Sequence, residues 1–375
     1  TFSYWEKKHF FKFDIIIIGS GIVGLSAAIS IKEKQPLLSV AILESGFLPT
    51  GASTKNAGFA CFGSISELIE QEKLCGSDGL HALITRRWSG LQKLRGLIGD
   101  ANLGFKNNGG YELFRAEEAT LSQLCVSKLG HFNHLIKDIV NEEPFNVADH
   151  KIPVLGLENV AALIENKLES QIDTGLMMRS LLLKAGNNGI TIFNSCNVKS
   201  FIEGNNGQEV HTEMGVFYCK KLVLCTNAFT ARLLPEIKIV PGRGQVVLTS
   251  PIPGLKLSGT FHYQKGFYYF RDIDGRVLLG GGRELDMKAE ETTVFGETKI
   301  VQDALLNLLN EVIIPGKKFN IDHRWSGIMA FGPDLEPTIE EVRPDIFCAA
   351  RCNGMGVAIG CQTGEDIAMM AINSL

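Results

Sequence analysis

Three glycines and one acid carry the most specific chemistry in this chain. Gly19, Gly21 and Gly24 stand in the spacing G-x-G-x-x-G, and Glu44 follows twenty positions beyond the last of them. Gly19 permits a tight turn, Gly21 lets the backbone approach a pyrophosphate, and Gly24 allows a helix to pack closely on a strand. Phosphates placed there meet the N-terminus of the helix, where free N–H groups and the dipole favour anions. Glu44 can accept hydrogen bonds from ribose hydroxyls, and Ile22 and Ser45 adjoin these groups in the same cradle. The chemistry implied is dinucleotide binding.

The elements that must position these residues are legible around them. Ile15 to Ile18 form a β-branched run suited to a strand buried on both faces. An Ala-rich helix from Leu25 to Ile31 follows the glycines, and a second strand, Val40 to Leu43, delivers Glu44. The link 45–64 is too rich in Gly, Ser and Thr for a helix, and residues 65–99, with Thr85-Arg86-Arg87-Trp88, read as helices with charged faces. Tyr111 to Arg115 reads as a strand, Leu121 to Val140 as an amphipathic helix, and Gly175 to Ala185 as another helix before strand Ile190 to Phe193. Short strands are expected at 196–202, 208–213, 215–218 and 221–225. From 243 to 283 the pattern becomes that of an antiparallel sheet, with turns at Asp274-Gly275 and Gly280 to Gly282. A helix at 297–312, a strand at 345–350 and a closing helix at 357–371 complete the pattern.

At 375 residues the chain exceeds one ordinary core, so two domains are expected. A net charge of −4 gives no reason to expect nucleic acid or an anionic membrane as partner. No apolar run approaches the roughly 20 residues that span a bilayer, and the opening TFSYWEKKHFFKF holds no apolar secretory core. The nine cysteines form no C-x-x-C and the eight histidines show no zinc spacing, so free thiols, no metal and a cytoplasmic location are expected.

The chain resembles flavoproteins of the D-amino acid oxidase superfamily, which includes glycine, sarcosine and γ-glutamylputrescine oxidases. The resemblance rests on DIIIIGSGIVGLSAA…AILES at the start, GASTKNAG at 51–58, LVLCTNAFT at 222–230 and PGRGQ at 241–245. It continues in FYYFRDIDGRVLLGGG at 267–282, WSGIMAFGPDLEPTI at 325–339 and RCNGMGVAIG at 351–360. It implies an α/β chain, α+β overall, with a Rossmann-like FAD-binding domain built on a parallel sheet and an inserted antiparallel-sheet substrate domain. The expected division is 1–62, 152–235 and 321–375 for FAD, and 63–151 and 236–320 for substrate.

By that resemblance Ser53, Thr54, Lys55, Asn56, Ala57 and Gly58 pass beneath the flavin, and Val198 meets the adenine. Thr226 and Asn227 form a small-residue turn near the ring. Gly354, Met355, Gly356 and Val357 bring a helix N-terminus to the pyrimidine edge, where it stabilises the charge of reduced flavin. The cysteine that tethers FAD in sarcosine oxidase-type relatives is matched by Gly327, so non-covalent FAD is expected. The carboxylate-binding arginine of glycine oxidase is matched by Met329. The substrate-side lysines of sarcosine oxidase are matched by Ala358 and Leu278. Arg351, Arg271 and Arg243 are the alternative cations, each either a carboxylate clamp or a structural salt bridge. Tyr263, Tyr268, Tyr269 and His262 fall on the strands expected to face the ring, where aromatic walls suit an amine.

The function implied is FAD-dependent oxidation of the C–N bond of a small amine or amino acid. Hydride passes to flavin N5, the imine hydrolyses, and oxygen or another acceptor takes the electrons. Two alternatives stay open: a 2-hydroxy acid or polyol dehydrogenase on the same fold, and a flavin-binding protein without turnover.

Overall fold

The strand Lys12–Ile18 is the centre of the first sheet, and its last four residues, all isoleucine, are buried on both faces. In this computed structural model, which describes residues 2–204 and 207–373, it pairs in parallel with Val40–Leu43 on one side and Gly215–Leu224 on the other. Thr191–Phe193 extends the sheet beyond Val40–Leu43, and Ile346–Ala350 extends it beyond Gly215–Leu224, both in parallel. Thr338–Arg343 closes that edge antiparallel, while Val198–Gly204 and Gly207–Thr212 lean on Gly215–Leu224 as a meander. The chain's start, middle and end thus meet in one sheet with a parallel core.

Helices Ile22–Lys34 and Gly356–Asn373 cross on this sheet at close range. A methyl group at Gly360 would lie 2.7 Å from Ile22 Cγ2, and one at Gly364 would lie 2.6 Å from Ser26 Cβ. Glycine is what lets two helix backbones approach so far.

The second sheet runs Ile321–Phe331, Val240–Thr249, Arg276–Gly281, Tyr268–Ile273, Thr260–Tyr263, Gly110–Phe114, Ala162–Asn166, Phe145–Val147. It is antiparallel except where Thr260–Tyr263 runs parallel to Gly110–Phe114. The long helix Ile65–Ile98, kinked at Gly76, joins the two halves. Its Leu91, Leu94 and Ile98 enter the core of the first sheet, while Leu68, Leu80 and Ile84 pack against Phe132 and Ile136 of helix Ala119–Val140.

Several expectations are corrected. Ala162–Asn166 and Ile321–Phe331, assigned to the nucleotide half, are strands of the second sheet. Burial alternates along the end of Ile321–Phe331, as a strand with one covered face requires. The pieces 215–218 and 221–225 are one strand, Gly215–Leu224, because Tyr218, Cys219 and Lys221 stay in register with Lys12, Phe13 and Ile15 through the expected break. Ala52–Lys55 forms one helical turn inside the supposed coil, closed where Asn56 Nδ2 donates to the carbonyls of Ala52 and Ser53. Arg87, expected on a charged face, is 2% exposed. Among the described residues no helix is long and apolar enough to cross a membrane.

Candidate cofactor and substrate site

A cavity of about 820 Å³ opens along the carboxyl ends of Lys12–Ile18, Val40–Leu43, Gly215–Leu224 and Ile346–Ala350, and reaches the second sheet. Ligands of open α/β sheets bind in this place, outside the strand ends where the strand order reverses. Gly19 turns the chain there at φ +101°, and a methyl group on it would come within 2.7 Å of the Cys225 carbonyl oxygen. Gly21 begins helix Ile22–Lys34, and Gly24 lies behind the cavity wall, where a methyl group would overlap the Gly19 carbonyl. Glu44 is held by four donors: Ser20 N at 3.0 Å and Ser20 Oγ at 2.7 Å on one oxygen, Gly46 N at 2.9 Å and Ser45 Oγ at 3.4 Å on the other. The carboxylate is therefore fixed at the rim before any ribose arrives.

The small-residue segments gather at the same cavity. Ser53, Lys55, Asn56 and Ala57 line it, and Ser53 Oγ accepts from Ile22 N at 2.9 Å, which caps the glycine-led helix from outside its own sequence. Thr54 and Gly58 do not line it. Thr54 Oγ1 turns back to the carbonyls of Pro49 and Gly51, and Gly58, at φ +74°, is locked to Ile172 and Arg271. Asn56 Oδ1 accepts from Gly58 N and Thr174 Oγ1, so this side chain ties the segment to the start of helix Thr174–Asn187. Val198, Thr226 and Asn227 line the cavity, and Asn227 Oδ1 accepts from Arg351 N. Gly354, Met355, Gly356 and Val357 line its far end, where helix Gly356–Asn373 begins. Two helix N-termini and one prearranged carboxylate thus face a single elongated space. That donor set fits a flavin dinucleotide, whose phosphates would meet Ile22–Lys34, whose ribose would meet Glu44 and whose electron-rich ring edge would meet Gly356–Asn373.

At the substrate end the expected cations are occupied elsewhere. Arg271 Nη1 donates to the carbonyls of Ala57, Gly58 and Ile172 at 3.1, 3.0 and 2.7 Å. Arg351 Nη2 pairs with Asp334 at 2.6 Å, and Arg243 forms a two-pronged pair with buried Glu290 at 2.7 and 3.0 Å. None of the three lines the cavity. Tyr263 and Tyr268 are core residues packed on each other, with ring centroids 5.8 Å apart. In a strand, successive side chains leave opposite faces, which is why Tyr269 and His262 face the cavity and their neighbours do not.

The wall that the strands present carries Phe267, Tyr269, Met329, Phe331 and Arg283. Arg283 stands over the Phe331 ring at 4.2 Å and the Phe267 ring at 5.6 Å, and among the described residues it forms no ion pair, meeting the neighbouring Glu284 only through its field. Opposite elements contribute Cys61, Glu67, Gln71 and Arg87. Sequence reasoning passed over Arg283 and Arg87. The signal for Arg87 was present, because it falls on the apolar stripe Leu80, Leu83, Ile84, Leu91 and Leu94 at helical spacing.

His262 Nε2 lies 2.7 Å from buried Glu169, whose same oxygen accepts from Thr260 Oγ1 at 2.7 Å. Burial opposes a charge on this imidazole, but Glu169, Cys61 and Glu67 together outweigh it and raise its pKa well above the usual value. Cys61 completes the group, its Sγ within 4.8 Å of the His262 and Glu169 donor atoms. Burial, reinforced by Glu169, pushes this thiol up to about 11.

The family model described as FAD dependent oxidoreductase (DAO) matches residues 14–370. A curated relative, "Probable oxidoreductase OrdL" of Haemophilus influenzae, is 22% identical over 370 residues, covering 95% of this chain and 82% of the relative. The crystal structure of L-proline dehydrogenase from P. horikoshii superposes with a TM-score of 0.76 at 20% identity, covering 96% of this chain and 94% of that one. Glycine oxidase from Geobacillus kaustophilus superposes with a TM-score of 0.73 at 21% identity, covering 97% and 95%. The chain is a member of the DAO family of FAD-dependent oxidoreductases.

Proposed function

We propose that this oxidoreductase acts on the C–N bond of an amine bearing a carboxylate and holds its FAD without a covalent link. Bound FAD supplies the two-electron acceptor that such an oxidation needs. The observation that carries the proposal is the wall on the second sheet: Tyr269, Phe267 and Phe331 beside an Arg283 that has no ion-pair partner among the described residues. Arg283 offers two parallel donors to a carboxylate, and its stacking on Phe331 fixes the plane of that fork. Tyr269, braced edge-on by Phe59 at 5.9 Å, contributes an aromatic face to an amine. Orientation in a dry, shaped space supplies much of the acceleration in such a reaction, so no dedicated base is required of these residues.

The cysteines that line the cavity support a non-covalent cofactor. Burial holds the Cys352 thiol up at about 12 and the Cys225 thiol well above its ordinary value, so neither supplies a thiolate at neutral pH. The structural neighbours named for glycine oxidation and L-proline dehydrogenation point to the same substrate chemistry. The test is anaerobic addition of amines, amino acids and 2-hydroxy acids to the holoenzyme. Bleaching by an amino acid is expected, with hydrolysis of the imine releasing ammonia from a primary amine or the substituted amine from an N-alkyl substrate. Bleaching by hydroxy acids alone overturns the C–N assignment, and no bleaching by any member marks a flavin-binding protein without turnover.

A further inference from the structure

Of the arginines and lysines that line the cavity, Arg87 is the buried one among the described residues, at 2% exposure. Its Nη1 donates to the Phe62 carbonyl at 2.7 Å and to Gln71 Oε1 at 2.9 Å. Nε is buried with no hydrogen-bond partner, and no carboxylate stands within ion-pair distance among the described residues. Glu67, which also lines the cavity, offsets the charge only through its field, with its Oε2 taken by the N–H and hydroxyl of Ser64. A charge taken from water without a partner is costly, and a guanidinium kept in that state beside a cavity calls for an anion delivered by a ligand.

Arg87 and Arg283 are separate sites. Arg87 rises from helix Ile65–Ile98 and touches Phe62, Gly63 and Gln71. Arg283 follows strand Arg276–Gly281 and touches Phe267, Phe331 and Met287. Among the described residues the two share no hydrogen-bond or ring partner, yet both line one continuous space. On the footing of the function proposed above, we infer that the substrate carries two anionic groups, one bound by Arg283 and a second, distal one bound by Arg87. The substrate class is then a dicarboxylic amine, either an acidic amino acid or an N-carboxyalkyl amino acid. Gln71 positions the Arg87 fork, and Glu67 repels a misplaced carboxylate while remaining attractive to an ammonium group.

Binding tests this independently of turnover. The holoenzyme is titrated with unreactive dicarboxylates from malonate to adipate and with the monocarboxylates of matching length, read by perturbation of the flavin spectrum and by calorimetry. At least one dicarboxylate is expected to bind roughly tenfold to hundredfold tighter than its monocarboxylate partner. Arg87→Met should erase that preference while leaving monocarboxylate affinity and FAD content unchanged. Removing an uncompensated buried charge should leave the variant folded. If it does not fold, thermal protection of the wild-type protein by dicarboxylate over monocarboxylate decides the matter alone. Equal affinity for both series overturns the inference even if amino acids bleach the flavin. Loss of FAD from Arg87→Met also overturns it, by making a cofactor group the anion. Conversely, a dicarboxylate preference in a protein that no amine reduces would leave the two-anion site standing and remove the C–N function.

Discussion

Arg271 Nη1 donates to the Gly58 carbonyl at 3.0 Å, tying a strand of the second sheet to the segment that leaves the nucleotide cradle. The same nitrogen would lie 2.6 Å from a methyl group at position 58, where φ is +74°. Gly58→Ala combines left-handed strain with displacement of that guanidinium, a cost of about 1–3 kcal/mol from the backbone alone. The expected outcome is a lower melting temperature together with reduced FAD content. A variant with wild-type melting and full flavin would show that this tie does not organise the cradle.

Glu44 is held in place by Ser20 and Gly46, and we propose that it takes the ribose of the cofactor. Glu44→Ala removes an ionised acceptor worth about 1.5–3 kcal/mol per hydrogen bond. FAD affinity should fall at least tenfold, while Glu44→Gln, which keeps the shape, should fall between the two. Fluorescence titration of apoprotein with FAD measures both. Unchanged affinity in Glu44→Ala would place the ribose elsewhere.

Arg283 is proposed to take a carboxylate: among the described residues no ion pair holds it, and its contacts with the fold are the Phe331 and Phe267 rings and Met287. Arg283→Gln should therefore leave melting and FAD content unchanged, and raise KM for carboxylate substrates roughly tenfold to hundredfold. The corresponding amides should be processed alike by both proteins. An equal loss with acids and amides would make Arg283 a wall residue only.

The His262–Glu169 pair gives stability a defined pH dependence. Because the folded pKa of His262 is raised, its contribution is complete below the unfolded value near pH 6.5 and is lost as pH rises through the folded pKa. The facing groups are Glu169, Glu67 and Cys61. The melting-temperature gap between wild type and His262→Gln should be widest at and below pH 6 and should narrow in alkaline solution. A gap that widens with rising pH would contradict a charged imidazole.

The cradle was legible because its determinants are local. A β-branched strand, a glycine spacing and an acid twenty positions on are read within one stretch, and the strand Val40–Leu43 stands at the residues expected. The substrate end was not, because the fate of each arginine is set by partners remote in sequence. Arg271 finds the carbonyls of residues 57, 58 and 172, Arg351 finds Asp334 and Glu336, and Arg243 finds Glu290. Tyr263 and Tyr269 were equally plausible until strand register put one in the core and the other on the cavity. Ile321–Phe331 escaped its sheet assignment for the same reason, since its pairing partner Val240–Thr249 lies some eighty residues away.

The most direct test is an absorbance spectrum of the purified protein before and after acid precipitation, followed by anaerobic addition of amino acids. The account requires a yellow protein that releases its FAD into the supernatant and is bleached by a carboxylate-bearing amine. Colour retained in the pellet would contradict the non-covalent site, and a colourless protein that takes up no FAD would contradict the cradle of Gly19, Gly21 and Glu44 itself.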